Sequence, residues 1–189
     1  MRKIIATTVL TATFAAGLGM AGVSPAAAEE RTCRGRLGAI TVDNLKVPQG
    51  ATCTLQGTKV KGTITVQRNA TLVASNVRVV GNVQAENAAR VDVIAGSRVN
   101  GSIQVVQGGS GRVANTVVGS DILFDDQDRR VVVTATKVGG NIQAFQNTGG
   151  VTISANRVDG NLQCKENAPR PTGGRNIVEG SKEDQCARL

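Results

Sequence analysis

The chain has no histidine, no tryptophan and no tyrosine, and only three phenylalanines in 189 residues. Without histidine, neither a Ser-His-Asp nor a Cys-His nucleophilic site can be assembled, and a histidine-ligated metal centre is equally out of reach. Phe14 lies in the apolar opening segment, which leaves Phe124 and Phe145 as the other aromatic rings. Two rings are too few for a platform on which sugars or bases stack, so no specific nucleic-acid partner is expected. After the opening segment no apolar run is long enough to span a bilayer, and no membrane insertion is expected of the rest. No Cys-x-x-Cys spacing occurs, which argues against a thiol redox pair.

What the chain does have begins with an export pattern. Arg2 and Lys3 precede an apolar stretch from Ile4 to Val23, and "SPAAAEE" follows with small residues suited to cleavage after Ala28. Residues 1–28 are read as a cleaved signal peptide, the alternative being a retained signal anchor. The product would be secreted or extracellular, and associated with the cell wall in one version of that reading. Its formal charge would fall from +8 to +6 on loss of Arg2 and Lys3. A basic exported protein can meet acidic wall polymers, nucleic acid or lipid headgroups, although the same charge also serves plain solubility.

The dominant feature is a repeat. "VKGTIT" (60–65), "VVGNVQ" (79–84), "VNGSIQ" (99–104), "VVGSDI" (117–122), "VGGNIQ" (138–143), "VDGNLQ" (158–163) and the degenerate "VEGSKE" (178–183) align on Gly62, Gly81, Gly101, Gly119, Gly140, Gly160 and Gly180. The spacings are 19, 20, 18, 21, 20 and 20. A fixed period in this range is the mark of a solenoid. Val, Ile, Thr, Asn and Gly dominate the units and apolar residues alternate with polar ones, so the units are strands rather than helices. The fold class is therefore all-β: a parallel β-helix solenoid of about 20 residues per coil, with the right-handed form favoured. Its parts are an N-terminal capping coil over 29–61, repeat coils over 62–163 and a C-terminal capping coil over 164–189.

Each column of such a stack has a task. Val60, Val79, Val99, Val117, Val138 and Val158, two before each glycine, should point inward, as should Ile64, Val83, Ile103, Ile142 and Leu162, two after it. The glycines need positive φ or close backbone approach. Asn76, Asn115, Asn156 and Asn176 fall near a second corner, where Asn tolerates the left-handed conformation and can bond a neighbouring coil. Cys33 and Cys53 are 20 apart and Cys164 and Cys186 are 22 apart, each close to one coil. Adjacent coils stack about 4.8 Å apart, within disulfide reach, so Cys33–Cys53 and Cys164–Cys186 are expected to staple the two ends.

Three features invite functional readings. The residues three before each glycine are Lys59, Arg78, Arg98, Thr116, Lys137 and Arg157, five of the six basic and all expected to face solvent. Lys59, Arg78, Arg98, Lys137 and Arg157 are the candidate binding residues for an anionic polymer; against this stands a solvated face balanced by Glu86, Asp92, Asp159 and Glu166. Thr65, Gln84, Gln104, Gln143 and Gln163, with Thr63, Asn82, Ser102, Asn141 and Asn161 beside them, can form ladders along the axis, or present a flat polar face to a glycan. Finally, "GSDILFDDQDRRVVV" departs from the pattern. Its Asp121, Asp125, Asp126 and Asp128 are the one candidate calcium site, the sole cofactor the sequence suggests, and the alternative is an ordinary loop of Asp–Arg pairs.

"TCRGRLGAITVDNLKVPQGATCTL", the repeated "VxGN[IVL]Q" and the closing "GNLQCKENAPRPTGG…DQC" resemble a group of small secreted actinobacterial repeat proteins over nearly the whole exported chain. The resemblance implies export and a β-helix, and carries no assigned activity or site residues. More distantly, the repeats are similar to those of bactofilins, which stack β-helices end to end into filaments. The Asp/Arg segment has a loose similarity to the calcium-plus-basic-residue sites of pectate-lyase-type β-helices, though this chain lacks their length and cleft-forming loops. The leading expectation is thus a secreted, non-enzymatic β-helix of the extracellular space or cell envelope that binds an anionic polymer through the basic column. The alternatives are a self-associating structural or adhesive surface protein and a small calcium-dependent polysaccharide lyase.

Overall fold

The structure is a computed structural model that describes residues 29–189. The signal-peptide expectation concerns 1–28 and lies outside the described residues. The chain winds as an all-β parallel solenoid of about eight turns with three strands per turn. One representative turn runs through Ile64–Val66, Thr71–Ser75 and Arg78–Val79. Stacking the turns produces three parallel sheets, here called A, B and C in the order a turn visits them, of nine, eight and eight strands. Among the described residues no helix is long and apolar enough to cross a membrane.

Period-two alternation turns each strand's apolar residues into a narrow interior. On sheet A the inward column runs Leu45, Ile64, Val83, Ile103, Ile122, Ile142 and Leu162, in register coil to coil. All seven are buried. On sheet C the inward column is valine throughout, Val60, Val79, Val99, Val118, Val138 and Val158, every one buried. Here one expectation is corrected: the inward residue of the fourth repeat is Val118, not Val117. The repeat "VVGS" offers two valines, and the anchor position falls on Ser120 rather than Gly119. Ser120 N–H donates to Gly101 O at 3.2 Å, and Gly140 N–H donates to Ser120 O at 3.0 Å. Placing that anchor at Ser120 turns the spacings of 18 and 21 into 19 and 20.

The anchor glycines serve close approach and not positive φ. A Cβ on Gly81 would lie 2.7 Å from Gly62 O, and one on Gly160 would lie 2.7 Å from Gly140 O. Left-handed corners fall elsewhere, at Asn76 (φ 52) and Asn115 (φ 51) as expected, and also at Ala135 and Ala155 (φ 51 and 56). Asn156 and Asn176 bond the neighbouring coil as expected but do not take the left-handed conformation. They stand one residue further on, turned inside and buried.

Both staples form as the spacing predicts: Cys33–Cys53 with Cα atoms 5.6 Å apart and Cys164–Cys186 with Cα atoms 5.2 Å apart. Paired cysteines are compatible with an extracellular or secreted protein. The N-terminal coil contributes strands to all three sheets, so it is a working turn of the solenoid as well as its end. At the other end, Cys186 sits in a turn closed by its own N–H to Glu183 O and by Leu189 N–H to Cys186 O, both 3.0 Å.

Candidate functional site

Sheet C carries the basic column on its outer surface. Its register runs Thr41, Lys59, Arg78, Arg98, Val117, Lys137, Arg157 and Ile177, each residue the Cα partner of the next. All five predicted basic residues share this face and are exposed. The sixth position is Val117. Thr116, expected outside, is buried, and its Oγ1 donates to Val93 O and Ala114 O, both at 3.1 Å.

The neighbouring outward column shows where counter-charges lie. It runs Asp43, Lys61, Val80, Asn100, Gly119, Gly139, Asp159 and Glu179, tied coil to coil by backbone bonds such as Val80 N–H to Val60 O. Its acids are at the two ends of the face. Asp43 meets Lys61 at 2.9 Å, and the hydrogen bond and charge of Lys61 hold its carboxyl below the ordinary value. Glu179 meets Arg157 at 2.7 Å. Between them, Lys59, Arg78, Arg98 and Lys137 form no ion pair among the described residues. Of the four acids offered by the sequence as balance, only Asp159 shares the face. Asp92 is on sheet B, nearly buried and bonded by Arg90 Nε at 3.0 Å, a contact that raises the arginine's already high pKa. Glu86 lies on sheet A. Glu166 is at the A–B corner, where Gln146 Nε2 donates to it at 3.0 Å; that bond and nearby Lys165 hold its carboxyl low.

The polar columns on and beside sheet A behave partly as ladders. At the C–A corner, Thr63 N–H donates to Asn44 Oδ1 (3.0 Å), Ser102 N–H to Asn82 Oδ1 (2.9 Å) and Asn161 N–H to Asn141 Oδ1 (2.8 Å). On the open face, Gln143 Nε2 donates to Gln163 Oε1 (2.9 Å) and Gln163 Nε2 to Glu183 Oε2 (2.8 Å). Leu123 interrupts that column, and beyond it Gln104 and Gln84 are exposed.

The acidic segment is taken apart by the fold. Asp121 belongs to the C–A ladder, its Oδ1 accepting from Asn141 N–H (2.8 Å) and Nδ2 (3.0 Å). Asp125 lies on the sheet A face, where partial burial, reinforced by the Asp126 charge, pushes its carboxyl up. Asp126 occupies a left-handed corner (φ 57), and exposed Asp128 stands 3.8 Å from Arg129. Phe124 points inside and is fully buried. Among the described residues no group of three or more His, Cys, Asp or Glu side chains is placed to hold a metal ion. The four aspartates thus divide among a ladder, a sheet face and a corner instead of converging.

Sequence reasoning missed the buried ladder at the A–B corner. At the A–B corner, Gln127 N–H donates to Asn147 Oδ1 (3.0 Å), Asn147 N–H to Asn167 Oδ1 (3.1 Å) and Asn167 N–H to Gln185 Oε1 (2.9 Å). Asn147 and Asn167 each recur after "Q-x-x-x-N" in their repeats, and that was the available signal. No protein-family model matches the chain, and neither a curated protein nor a solved structure does.

Proposed function

We propose that this is a secreted, non-catalytic protein of the extracellular space or cell envelope, and that sheet C binds an anionic polymer. The observation that carries the reading is the uncompensated run Lys59, Arg78 and Arg98 on three successive coils. Neighbouring unit charges about 4.8 Å apart repel by about 0.9 kcal/mol in bulk water, so the row is tolerable when free and is relieved by a polyanion. Lys137 and Arg157 extend the row beyond Val117, with Arg157 already shared with Glu179. The absence of histidine and tyrosine favours binding over catalysis. A strand-borne row is rigid, so a linear polymer along the axis meets cations without first ordering a loop.

The test is binding of the oxidised protein to purified teichoic acid, heparin and a neutral glucan over a salt series. Affinity for both polyanions should fall steeply with salt. Replacing Arg78, Arg98 and Arg157 together by Glu should reduce retention on the polyanions by at least about ten-fold. Retention unchanged by the triple reversal would sink the reading.

A further inference from the structure

A second, chemically different site lies around the corner from the basic face. On sheet A, a groove of about 620 Å³ is floored by Gln84, Glu86, Gln104 and Val106 and bordered by Arg68 and Asn87. A second hollow of about 570 Å³ adjoins it across Arg68 and Asn87 and passes over the A–B corner. There the floor is Ala88, Ala89, Gly108 and Gly109, and the far rim is Asp126, Asp128 and Arg129. The corner stays low because its glycines pack against backbone. A Cβ on Gly108 would lie 2.7 Å from Ala88 O, and one on Gly109 would lie 2.3 Å from Ala89 O.

The polar groups on the sheet A floor of this trough are unspent, whereas Asp128 and Arg129 on its far rim stand 3.8 Å apart. Gln143 and Gln163, in the same outward column, are bonded along the axis. Gln84 and Gln104 are direct register partners, yet both are exposed, and neither side chain has a hydrogen bond among the described residues. Arg68 and Glu86 form no ion pair among the described residues.

From these observations we infer that the trough binds a short neutral oligosaccharide. Each Gln amide presents an acceptor oxygen beside a two-hydrogen donor, Glu86 only accepts, and Arg68 only donates. Sugar hydroxyls both donate and accept, so they match that mixture, and the in-register amides repeat at about 4.8 Å. Other occupants fit less well. A peptide that adds as a strand needs a free sheet edge, and each strand in this floor is already paired on both sides. A polyanion would face Glu86, Asp126 and Asp128, which offset Arg68 and Arg129. An apolar ligand would leave the amides without partners.

The experiment titrates the oxidised protein with cello-, laminari-, malto- and chito-oligosaccharides by calorimetry at low and high salt. Saturable binding of at least one series, insensitive to salt, is the expected result. The Gln84→Ala/Gln104→Ala variant should weaken it at least about ten-fold with unchanged thermal melting, since both side chains are exposed and unbonded. Glu86→Gln should weaken it independently, and Arg78→Glu/Arg98→Glu should leave it unaltered. No binding by any series would overturn the inference, as would binding that survives the double glutamine replacement. Binding lost with salt and with the arginine reversal would also overturn it, because the ligand would then belong to sheet C.

Discussion

Phe124 occupies an interior position that other coils fill with Val66, Ala85, Val105, Ala144 and Cys164. A phenyl ring fits there because the facing strand gives way. The column Leu72, Val91, Val131 and Val151 carries Gly111 at that level, and a Cβ on Gly111 would lie 2.0 Å from Phe124 Cε1. Gly111→Ala should therefore overpack the coil and cost about 1–3 kcal/mol. Phe124→Ala should cost about 3–5 kcal/mol by leaving a cavity. In the double variant Gly111→Ala/Phe124→Ala the losses should not add, with a coupling of about 0.5–3 kcal/mol read from denaturant midpoints at constant slope. Simple additivity would mean that ring and glycine do not share space. In the sequence, Phe124 stands among four aspartates and reads as part of a charged loop. Its true neighbour, Gly111, is 13 residues away and becomes visible only once the coils are in register.

Sheets hold each coil to the next, and the corners repeat that work with side chains. Buried Asn156 accepts from Thr136 N–H (3.0 Å) and donates through Nδ2 to Val133 O (2.9 Å) and Asn176 Oδ1 (3.0 Å). Asn156→Ala would strand a buried N–H and a buried carbonyl at once, at about 1–3 kcal/mol each. Asn115→Ala, at the exposed left-handed corner, removes no such bond, and Ala135 and Ala155 already adopt that conformation. The expected order in thermal melting is thus a large loss for Asn156→Ala and a small one for Asn115→Ala; equal losses would deny the ladder its role. This pair also marks how far the sequence could be read. Strand columns were legible because inside and outside alternate with period two, which identifies the inward Ile and Val and the outward Lys and Arg directly. Corners have no such period. Their outer and inner positions are adjacent in the chain, so Asn115 and Asn156 look alike although one faces solvent and the other the core. The same one-residue ambiguity in "VVGS" exchanged Val117 with Val118. The basic column survived that slip because its charged members lie in regular repeats. The sheet A trough was not legible, since it depends on small corner residues from two coils lying between larger ones.

A stack of parallel coils ends in unpaired strands, and an open end invites another copy to continue the sheets. The aliphatic column of sheet A stops at both ends with a cation: Arg31 is the register partner of Leu45, and Lys182 that of Leu162. Head-to-tail stacking in the same register would set Arg31 directly over Lys182, in the column that elsewhere is Leu, Ile and Val. Like charges confined there repel, and each would lose hydration on docking, a cost of several kcal/mol per ion. The disulfides fasten the terminal turns that carry these cations, so the ends cannot readily peel back to relieve the repulsion. Sedimentation velocity across a concentration series should give one unchanging species for the native protein, and growing oligomers for Arg31→Ile/Lys182→Ile. Association of the native protein would reverse the argument, making its ends adhesive surfaces and favouring a self-assembling envelope component. A double variant that stays a single species would shift the closing role to the stapled turn around Cys186, which removal of residues 187–189 would then test.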